Sequence, residues 1–223
     1  MWRTGSRSQA DLVEHLQHDL KLKSENVKKA LLAVDRKDFC LVDPYFDCPQ
    51  SIGYNATISA PHMHAMALEY LSDKLVAGAH VLDVGSGSGY LTVCMAKMVG
   101  SKGKAVGIEH IQDLADLSIK NIRKNHGDLS QNGTLTIIQG DGRLGYPQHA
   151  PYNAIHVGAA AKEVPPALFD QLAVGGRMVI PVGGSGGQEF VQYDKVAPDK
   201  VEKKRLFGVV YIPLTSVDEQ LRR

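Results

Sequence analysis

The chain has no apolar run approaching the roughly 18 residues a membrane-spanning helix needs, so no span is expected. It has no excess of charge: 25 Lys and Arg stand against 24 Asp and Glu in 223 residues, a formal net charge of +1. That balance argues against a broad electrostatic footprint for nucleic acid. The densest basic run, Lys200, Lys203, Lys204 and Arg205, reads as a solvated hairpin tip. Cysteine is scarce, and Cys40, Cys48 and Cys94 form no Cys-x-x-Cys pair and leave one odd. A reducing compartment is therefore expected. Met1 to Gln9 is polar and lacks the apolar centre of a secretory signal, so the expected location is the cytoplasm. Internal repeats and signs of a second hydrophobic core are missing too, so residues 1–223 are expected to form one domain with 1–7 as a flexible tail. At 43% hydrophobic residues the chain can bury a substantial core without staples.

What is present centres on Val81-Leu82-Asp83-Val84-Gly85-Ser86-Gly87-Ser88-Gly89-Tyr90. An apolar run ending in glycines reads as a buried parallel strand feeding a tight turn, with a helix opening at about Tyr90. Glycines let the backbone approach a ligand, and a helix N-terminus offers unpaired N–H groups. The dinucleotide fingerprint wants glycine or alanine at the sixth position, where this chain has Tyr90. Asp83 would repel a pyrophosphate but could hold an ammonium group or a water. The loop resembles the first motif of the S-adenosylmethionine-dependent methyltransferases, with a dinucleotide enzyme or a structural turn as the alternatives.

The downstream spacing supports the first reading. Lys104 to Glu109 reads as a second strand, ending in an acid twenty residues after Gly89 where a carboxylate can accept ribose hydroxyls. A helix from Ile111 to about Asn125 and a third strand, Thr134 to Gln139, follow. The latter ends in Gly140-Asp141-Gly142, where Asp141 could reach an adenine amine or merely make a turn. Tyr152 to Val157 and Arg177 to Val182 supply two more strands, joined by a helix containing Leu168, Phe169 and Leu172 and ended by Gly175-Gly176. Gly183 to Gly187 reads as a flexible loop. Phe190 to Val196 and Leu206 to Ile212 read as an antiparallel pair around Ala197-Pro198-Asp199-Lys200. The fold expected is α/β: a doubly wound, mostly parallel sheet of the class I methyltransferase type, with N-terminal helices and a C-terminal antiparallel strand pair.

Ser8 with Asp11, and Ser24, look like caps of two N-terminal packing helices. Pro61 suits the first turn of a third helix, with Ser59 as an N-cap candidate. His62 and His64 are about 200° apart on that helix and diverge, so no metal site is expected.

Around this helix the chain resembles a named family, the protein-L-isoaspartate O-methyltransferases. Tyr54-Asn55-Ala56-Thr57-Ile58-Ser59-Ala60-Pro61-His62-Met63-His64-Ala65 looks like the family's signature segment, and Leu82 to Leu91 like its cofactor loop. The likeness continues through Gly140-Asp141-Gly142, Gly175 to Val182, and Tyr211-Ile212-Pro213-Leu214-Thr215, covering nearly the whole chain. It implies S-adenosyl-L-methionine as cofactor, S-adenosyl-L-homocysteine as product and no metal. The implied substrate is the L-isoaspartyl residue of damaged proteins and peptides, whose free α-carboxylate is methylated so that it can return to aspartate through a succinimide.

By resemblance, Ser59 matches the active-site serine, and Ala56, Thr57 and Ile58, with His64, line the cofactor and acceptor cavity. Asp83, Gly85 and Ser88 match positions near the methionine part, Glu109 and His110 the ribose contact, and Asp141 and Gly142 the adenine contact. Thr215 and Gln220 match a C-terminal segment folding over the ligand. A monomer with no nucleic-acid or membrane partner is expected.

Other readings are a nucleic-acid amino-methyltransferase, a small-molecule O-methyltransferase, an NAD-dependent oxidoreductase and a non-catalytic sensor. The first usually carries an Asn/Asp-Pro-Pro-aromatic box after the fourth strand. This chain has Asn153-Ala154-Ile155-His156 there.

Overall fold

The computed structural model describes residues 6–184 and 186–222. Most of the expected tail, residues 1–5, and Ser185 of the expected glycine loop therefore lie outside the described residues. Helix α1 (Gln9–Leu20) is capped by Ser8, whose hydroxyl accepts from the Asp11 amide at 3.2 Å, and α2 (Glu25–Ala33) by Ser24. Such caps satisfy N–H groups that a helix start leaves without partners. Leu12, Val13, Leu16, Val27 and Leu31 turn inward from these helices.

After a 3-10 turn at Arg36–Asp38 come β1 (Gln50–Gly53) and β2 (Ala56–Ile58), an antiparallel hairpin that the sequence reading did not anticipate. Tyr54 and Asn55 at its tip have φ of 54° and 53°. This left-handed pair is the signature of a type I′ turn, whose twist matches that of the strands it joins. Helix α3 (Pro61–Leu71) follows, and its cap position belongs to Ala60, without a side-chain bond, rather than to Ser59. The reason is local: a residue before proline is pushed into an extended conformation. Ala60 adopts φ −55° and ψ 145°, which leaves Ser59 one residue too early to cap the helix.

The main sheet is built from β3 (His80–Val84), β4 (Lys104–Glu109), β5 (Leu135–Gln139), β6 (Tyr152–Val157), β7 (Leu172–Gly184), β8 (Gly187–Ala197) and β9 (Lys200–Val209). Helices α4 (Tyr90–Val99), α5 (Gln112–Asn125), α6 (Gly127–Gln131), α7 (Pro166–Asp170) and α8 (Val217–Leu221), with 3-10 turns at Gly142–Leu144 and Pro147–His149, complete the described elements. The strand order is β5-β4-β3-β6-β7-β8-β9, with β3 to β7 parallel and β8 and β9 antiparallel. Successive side chains of a strand point to opposite faces. Val81, Ala105, Ala154 and Val179 accordingly pack in a cluster with α1 to α4, while Leu82, Val106, Ile155 and Met178 join the cluster that includes Leu168 of α7.

Several element boundaries differ from expectation. The helix before β7 ends at Asp170, and Leu172 already belongs to the strand. Gly175-Gly176 lies in a register shift against β6, where Gly175 takes φ 81° and a Cβ on Gly176 would stand 2.9 Å from the carbonyl oxygens of Ala173 and Tyr152. Gly183, Gly184 and Gly187 are not a slack loop but the end of a hairpin, pairing Gly183 with Gln188 and Gly184 with Gly187. The last strand begins at Lys200 and ends at Val209, because Ala197 pairs directly with Lys200 across Pro198-Asp199. The basic run thus lies on an edge strand, where exposed charge discourages pairing with other chains.

Burial holds the imidazoles of His64 and His126 below their ordinary value of 6.5. The unfolded chain then binds more protons than the folded one below 6.5, so this contribution to stability is present above that pH and is lost as pH falls below it. His64, buried at 7% exposure, alone supplies a slope of up to about 1.4 kcal/mol per pH unit in that window. Urea unfolding should therefore show a lower midpoint at about pH 5 than at about pH 7.5; equal midpoints would contradict neutral buried histidines.

Candidate active site

The chain builds outward from β3 through β4 to β5 and then returns to place β6 on the other side of β3. Ligands of open α/β sheets bind outside the carboxyl ends of strands at such a reversal. Here β3 runs into Gly85, Gly87 and Gly89, with φ of 75°, 51° and 87°. These left-handed conformations are cheap for glycine alone. Gly89 carries a second constraint, since a Cβ there would stand 2.6 Å from Ser118 Oγ on α5.

Glu109, at the end of β4, is 5% exposed and accepts from the Gly87 amide at 3.1 Å and the Ile111 amide at 3.0 Å. An ionised carboxylate offers about four acceptor positions. Two therefore remain for hydroxyl donors in the adjoining cleft. Past β5, Gly142 is required by space, because a Cβ would lie 2.5 Å from Val84 Cγ1. Asp141 beside it is bound by Arg143 at 2.7 Å, and that hydrogen-bonded cation holds its carboxyl below the usual value.

The roof comes from the C-terminus. After β9 the chain crosses from the sheet edge to its centre, where the Ala160 amide donates to Ile212 O and the Leu214 amide to Ala160 O, both at 2.8 Å. Gln220 then fastens α8 across the opening. Its Oε1 meets His110 Nε2 at 2.8 Å, its Nε2 donates to Tyr54 O at 2.9 Å, and Asn55 Nδ2 donates to its carbonyl at 2.9 Å. Thr215 and Glu219 hydrogen-bond within the same segment.

Beside this cleft lies an inner pocket. Asp83, 1% exposed, receives the Thr92 hydroxyl at 2.5 Å and contacts His156 Nδ1 at 2.7 Å. His64 reaches the pocket from α3 and Ser59 from the end of β2. Burial pushes the Tyr211 phenol up to about 12, while a hydrogen bond with Ser59 pulls the other way. Outside the pocket a groove of about 950 Å³ runs between α3 and the end of β9, lined by Met63, Met66, Phe207 and Val209. Thr57 and Ser59 line both the groove and the inner pocket, so they stand at the junction of the two.

The residues named by resemblance are gathered in this one region. Ala56, Glu109, His110, Asp141, Gly142, Thr215 and Gln220 line the cleft under the roof, Ile58, Ser59, His64, Asp83 and Ser88 line the inner pocket, and Thr57 and Gly85 line both. His156, Gly158 and Leu214 also line these spaces and were missed. Gly158 follows β6 just as Gly85 follows β3, a parallel the sequence contained. His156 is itself buried within the continuous run from Ala154 to Val157 and gave no signal. Among the described residues no group of three or more His, Cys, Asp or Glu is placed to hold a metal ion, and no helix is long and apolar enough to cross a membrane.

A glycine turn at the strand-order reversal, followed by acids closing the next two strands, gives this protein the architecture of the class I methyltransferases. More narrowly, the chain belongs to the family described as protein-L-isoaspartate(D-aspartate) O-methyltransferase, whose model matches residues 7–219. It is 56% identical to a protein-L-isoaspartate O-methyltransferase of Caenorhabditis elegans over all of this chain and 99% of that one. Identity to the Arabidopsis thaliana protein-L-isoaspartate O-methyltransferase 1 is 51%, over 95% of this chain and 93% of the other. Among solved structures, a Plasmodium falciparum protein described as such an enzyme, in complex with S-adenosyl-L-homocysteine, superposes with a TM-score of 0.88. The two are 34% identical over 94% of this chain and 99% of that one.

The roof's dependence on Gln220 is measurable. Gln220→Ala removes the bonds to His110 and Tyr54, at roughly 0.5–1.5 kcal/mol each. Amides of residues 212–221 should exchange about fivefold or more faster than in the parent, with β3 and β4 unaffected; unchanged exchange would show the segment to be held elsewhere.

Proposed function

We propose that the protein moves a methyl group from S-adenosyl-L-methionine to the free α-carboxylate of L-isoaspartyl residues in damaged proteins and peptides, the step that lets them return to aspartate through a succinimide. The carrying observation is the position of Ser59, within the segment resembling the family's signature and at the junction between the apolar groove and the inner pocket. The cleft fits the cofactor. Glu109 keeps acceptor capacity for a ribose, and Gly142 and Gly158 admit a ligand against the strand ends where side chains would collide with Val84 or approach Gly85 O. Asp141 is the residue for an adenine amine, and Asp83, Gly85 and Ser88 border the methionine end. When bound, S-adenosyl-L-methionine supplies a methyl group carried on a sulfonium.

The residues present suit an acceptor that needs no deprotonation. An α-carboxyl group ionises near 3.3–3.7 in model peptides and is already an anion near pH 7. A general base is therefore unnecessary, and the protein's contribution is to hold the carboxylate in line and strip its water. Positioning of this kind can supply about 7 to 11 kcal/mol of barrier lowering. Ser59 and Tyr211 are suited to it, since both stay protonated at neutral pH and offer hydroxyl donors at the mouth of the pocket. The groove accepts the rest of the substrate as an extended chain along the free edge of β9, which gives affinity without a sequence motif. The near-neutral charge of the whole chain fits protein substrates in general and no nucleic acid or membrane. It acts as a cytoplasmic monomer in this reading.

The decisive assay is methyl transfer from labelled S-adenosyl-L-methionine to a synthetic L-isoaspartyl peptide and to the same peptide with normal aspartate. Base-labile label should enter only the first. Incorporation into neither, with the cofactor bound, would point to a small-molecule acceptor or a sensor. Ser59→Ala should lower kcat/KM about tenfold, the equivalent of roughly 1.4 kcal/mol, and leave cofactor affinity within a few fold. Loss of cofactor binding would remove the division of labour argued here. Val210 is 97% exposed just beyond β9. Val210→Pro, which deletes a backbone donor, should raise KM for the peptide; an unchanged KM would count against edge pairing.

A further inference from the structure

Arg36 is among the largest fully buried side chains, at 0% exposure. No ion pair neutralises it among the described residues; Asp47, whose charge reaches it through space, is taken by His62 at 2.9 Å. Burying a cation without a carboxylate is expensive. Its surroundings are correspondingly specific. Its amide donates to Gln9 Oε1 at 3.1 Å, fixing the turn it stands on, and its guanidinium lies over the Tyr90 ring with 5.5 Å to the centroid. One terminal nitrogen donates to the Ser59 carbonyl at 2.7 Å and the other meets His64 Nδ1 at 3.2 Å.

The second contact has one chemical reading. A guanidinium has donors only and does not lose its proton, so His64 Nδ1 must be the acceptor. His64 is then neutral and carries its proton on Nε2. The groups facing that ring are Arg36 from the 3-10 turn, His62 from α3, Tyr90 from α4 and His156 from β6, itself held by Asp83. Burial first, and the Arg36 cation second, hold its imidazole well below 6.5.

We propose that Arg36 is a positioning residue for methyl transfer: one guanidinium clamps the Ser59 backbone and locks His64 as an Nε2–H donor toward the inner pocket, where a carboxylate is its partner. This rests on the reading that Ser59 and His64 border the reacting groups. Both ligands of such a reaction carry a carboxylate, that of the isoaspartyl residue and that of the cofactor's methionine moiety. The same unpaired cation makes the back wall electropositive toward either, and the two sources separate by which affinity changes.

The tautomer can be read in the parent protein, independently of activity. Nitrogen-15 spectra of labelled histidine should show His64 neutral with its proton on Nε2 from about pH 6.5 to 8, with and without S-adenosyl-L-homocysteine. A proton on Nδ1, or an imidazolium in that range, would overturn the proposal even if isoaspartyl peptides are methylated. The neutral Nε2–H form would sustain it even if another acceptor proves to be the substrate. Arg36→Met should lower kcat/KM about tenfold to a hundredfold, move the His64 titration up toward 6.5, and introduce that titration into the pH profile of folded enzyme. A rise in peptide KM would assign the carboxylate to the acceptor, and a rise in S-adenosyl-L-homocysteine Kd to the cofactor. A purely structural Arg36 would reduce the folded fraction and leave the profile unmoved, which would refute the clamp. Arg36→Lys keeps the charge but lacks the fork that spans both partners; full activity in that variant would refute it as well. Should Arg36→Met fail to fold, the parent spectra decide.

Discussion

A parallel sheet whose strand order reverses cannot cover its own carboxyl edge, and the crevice left between β3 and β6 is the constraint on which the rest of this protein depends. Connections leaving β3 and β6 diverge to opposite sides, so Gly85 and Gly158 border the crevice; a Cβ on Gly85 would meet nothing within 4 Å, while one on Gly158 would stand 3.1 Å from Gly85 O. Asp83, Glu109 and Asp141 stand at or just past that edge. The turn after β3 reaches Glu109 with the Gly87 amide, linking the first strand end to the second. Asp83 does the same for the other side by holding His156 of β6. The crevice is thus cross-braced by two buried acids before any ligand is considered.

The crevice alone would serve any cofactor of this size and says little about an acceptor. The junction of groove and inner pocket is built by two segments far apart in sequence. The β1–β2 hairpin and the start of α3 deliver Thr57, Ser59 and His64, and the chain after β9 delivers Tyr211 and the roof. They meet through the Ser59–Tyr211 contact and through Gln220, which bridges His110 and Tyr54. The apolar groove ends at the same junction, so an extended chain lying in it would present one residue to the inner pocket.

The electrostatics are consistent with an anionic acceptor. Groups at the junction that could have become bases are held as donors: burial keeps His64 neutral and the Tyr211 phenol protonated far above physiological pH. Behind them stands a cation, Arg36, with no carboxylate partner among the described residues. An enzyme that had to remove a proton would need a group poised near the working pH. One that moves a methyl to an existing carboxylate needs donors, fixed geometry and little water.

Local rules made much of this legible. Buried parallel strands announce themselves as continuous apolar runs, and Gly85-Ser86-Gly87-Ser88-Gly89 marks a turn because left-handed backbone is cheap for glycine, so β3 to β6 and α4 could be placed closely. Capping by Ser8 and Ser24 was readable for the same local reason. The resemblance to a family supplied candidate site residues that physics alone left open, Ser59 above all, which local rules assigned to a helix cap, and the fold gathers them around one cleft and pocket. Where tertiary pairing decided, the sequence reading slipped: β7 absorbs Leu172 and the Gly175-Gly176 bulge, and β9 begins at Lys200 because a two-residue turn sets its register. Arg36 and His156 were invisible for a stronger reason. A charged residue beside Lys37 and Asp38 looks solvated, and a histidine in an apolar strand looks like packing, because sequence records residue type but not which neighbours arrive from distant segments. The sequence by itself determined the sheet, the glycine turn and the acids at its strand ends, since those follow from short-range backbone preference and periodicity. Only the tertiary structure decided that Arg36 lies beneath Ser59, that its guanidinium meets Nδ1 of His64, and that Gln220 is what fastens the C-terminus across the cleft, since each depends on a hydrogen bond between groups brought together by the fold.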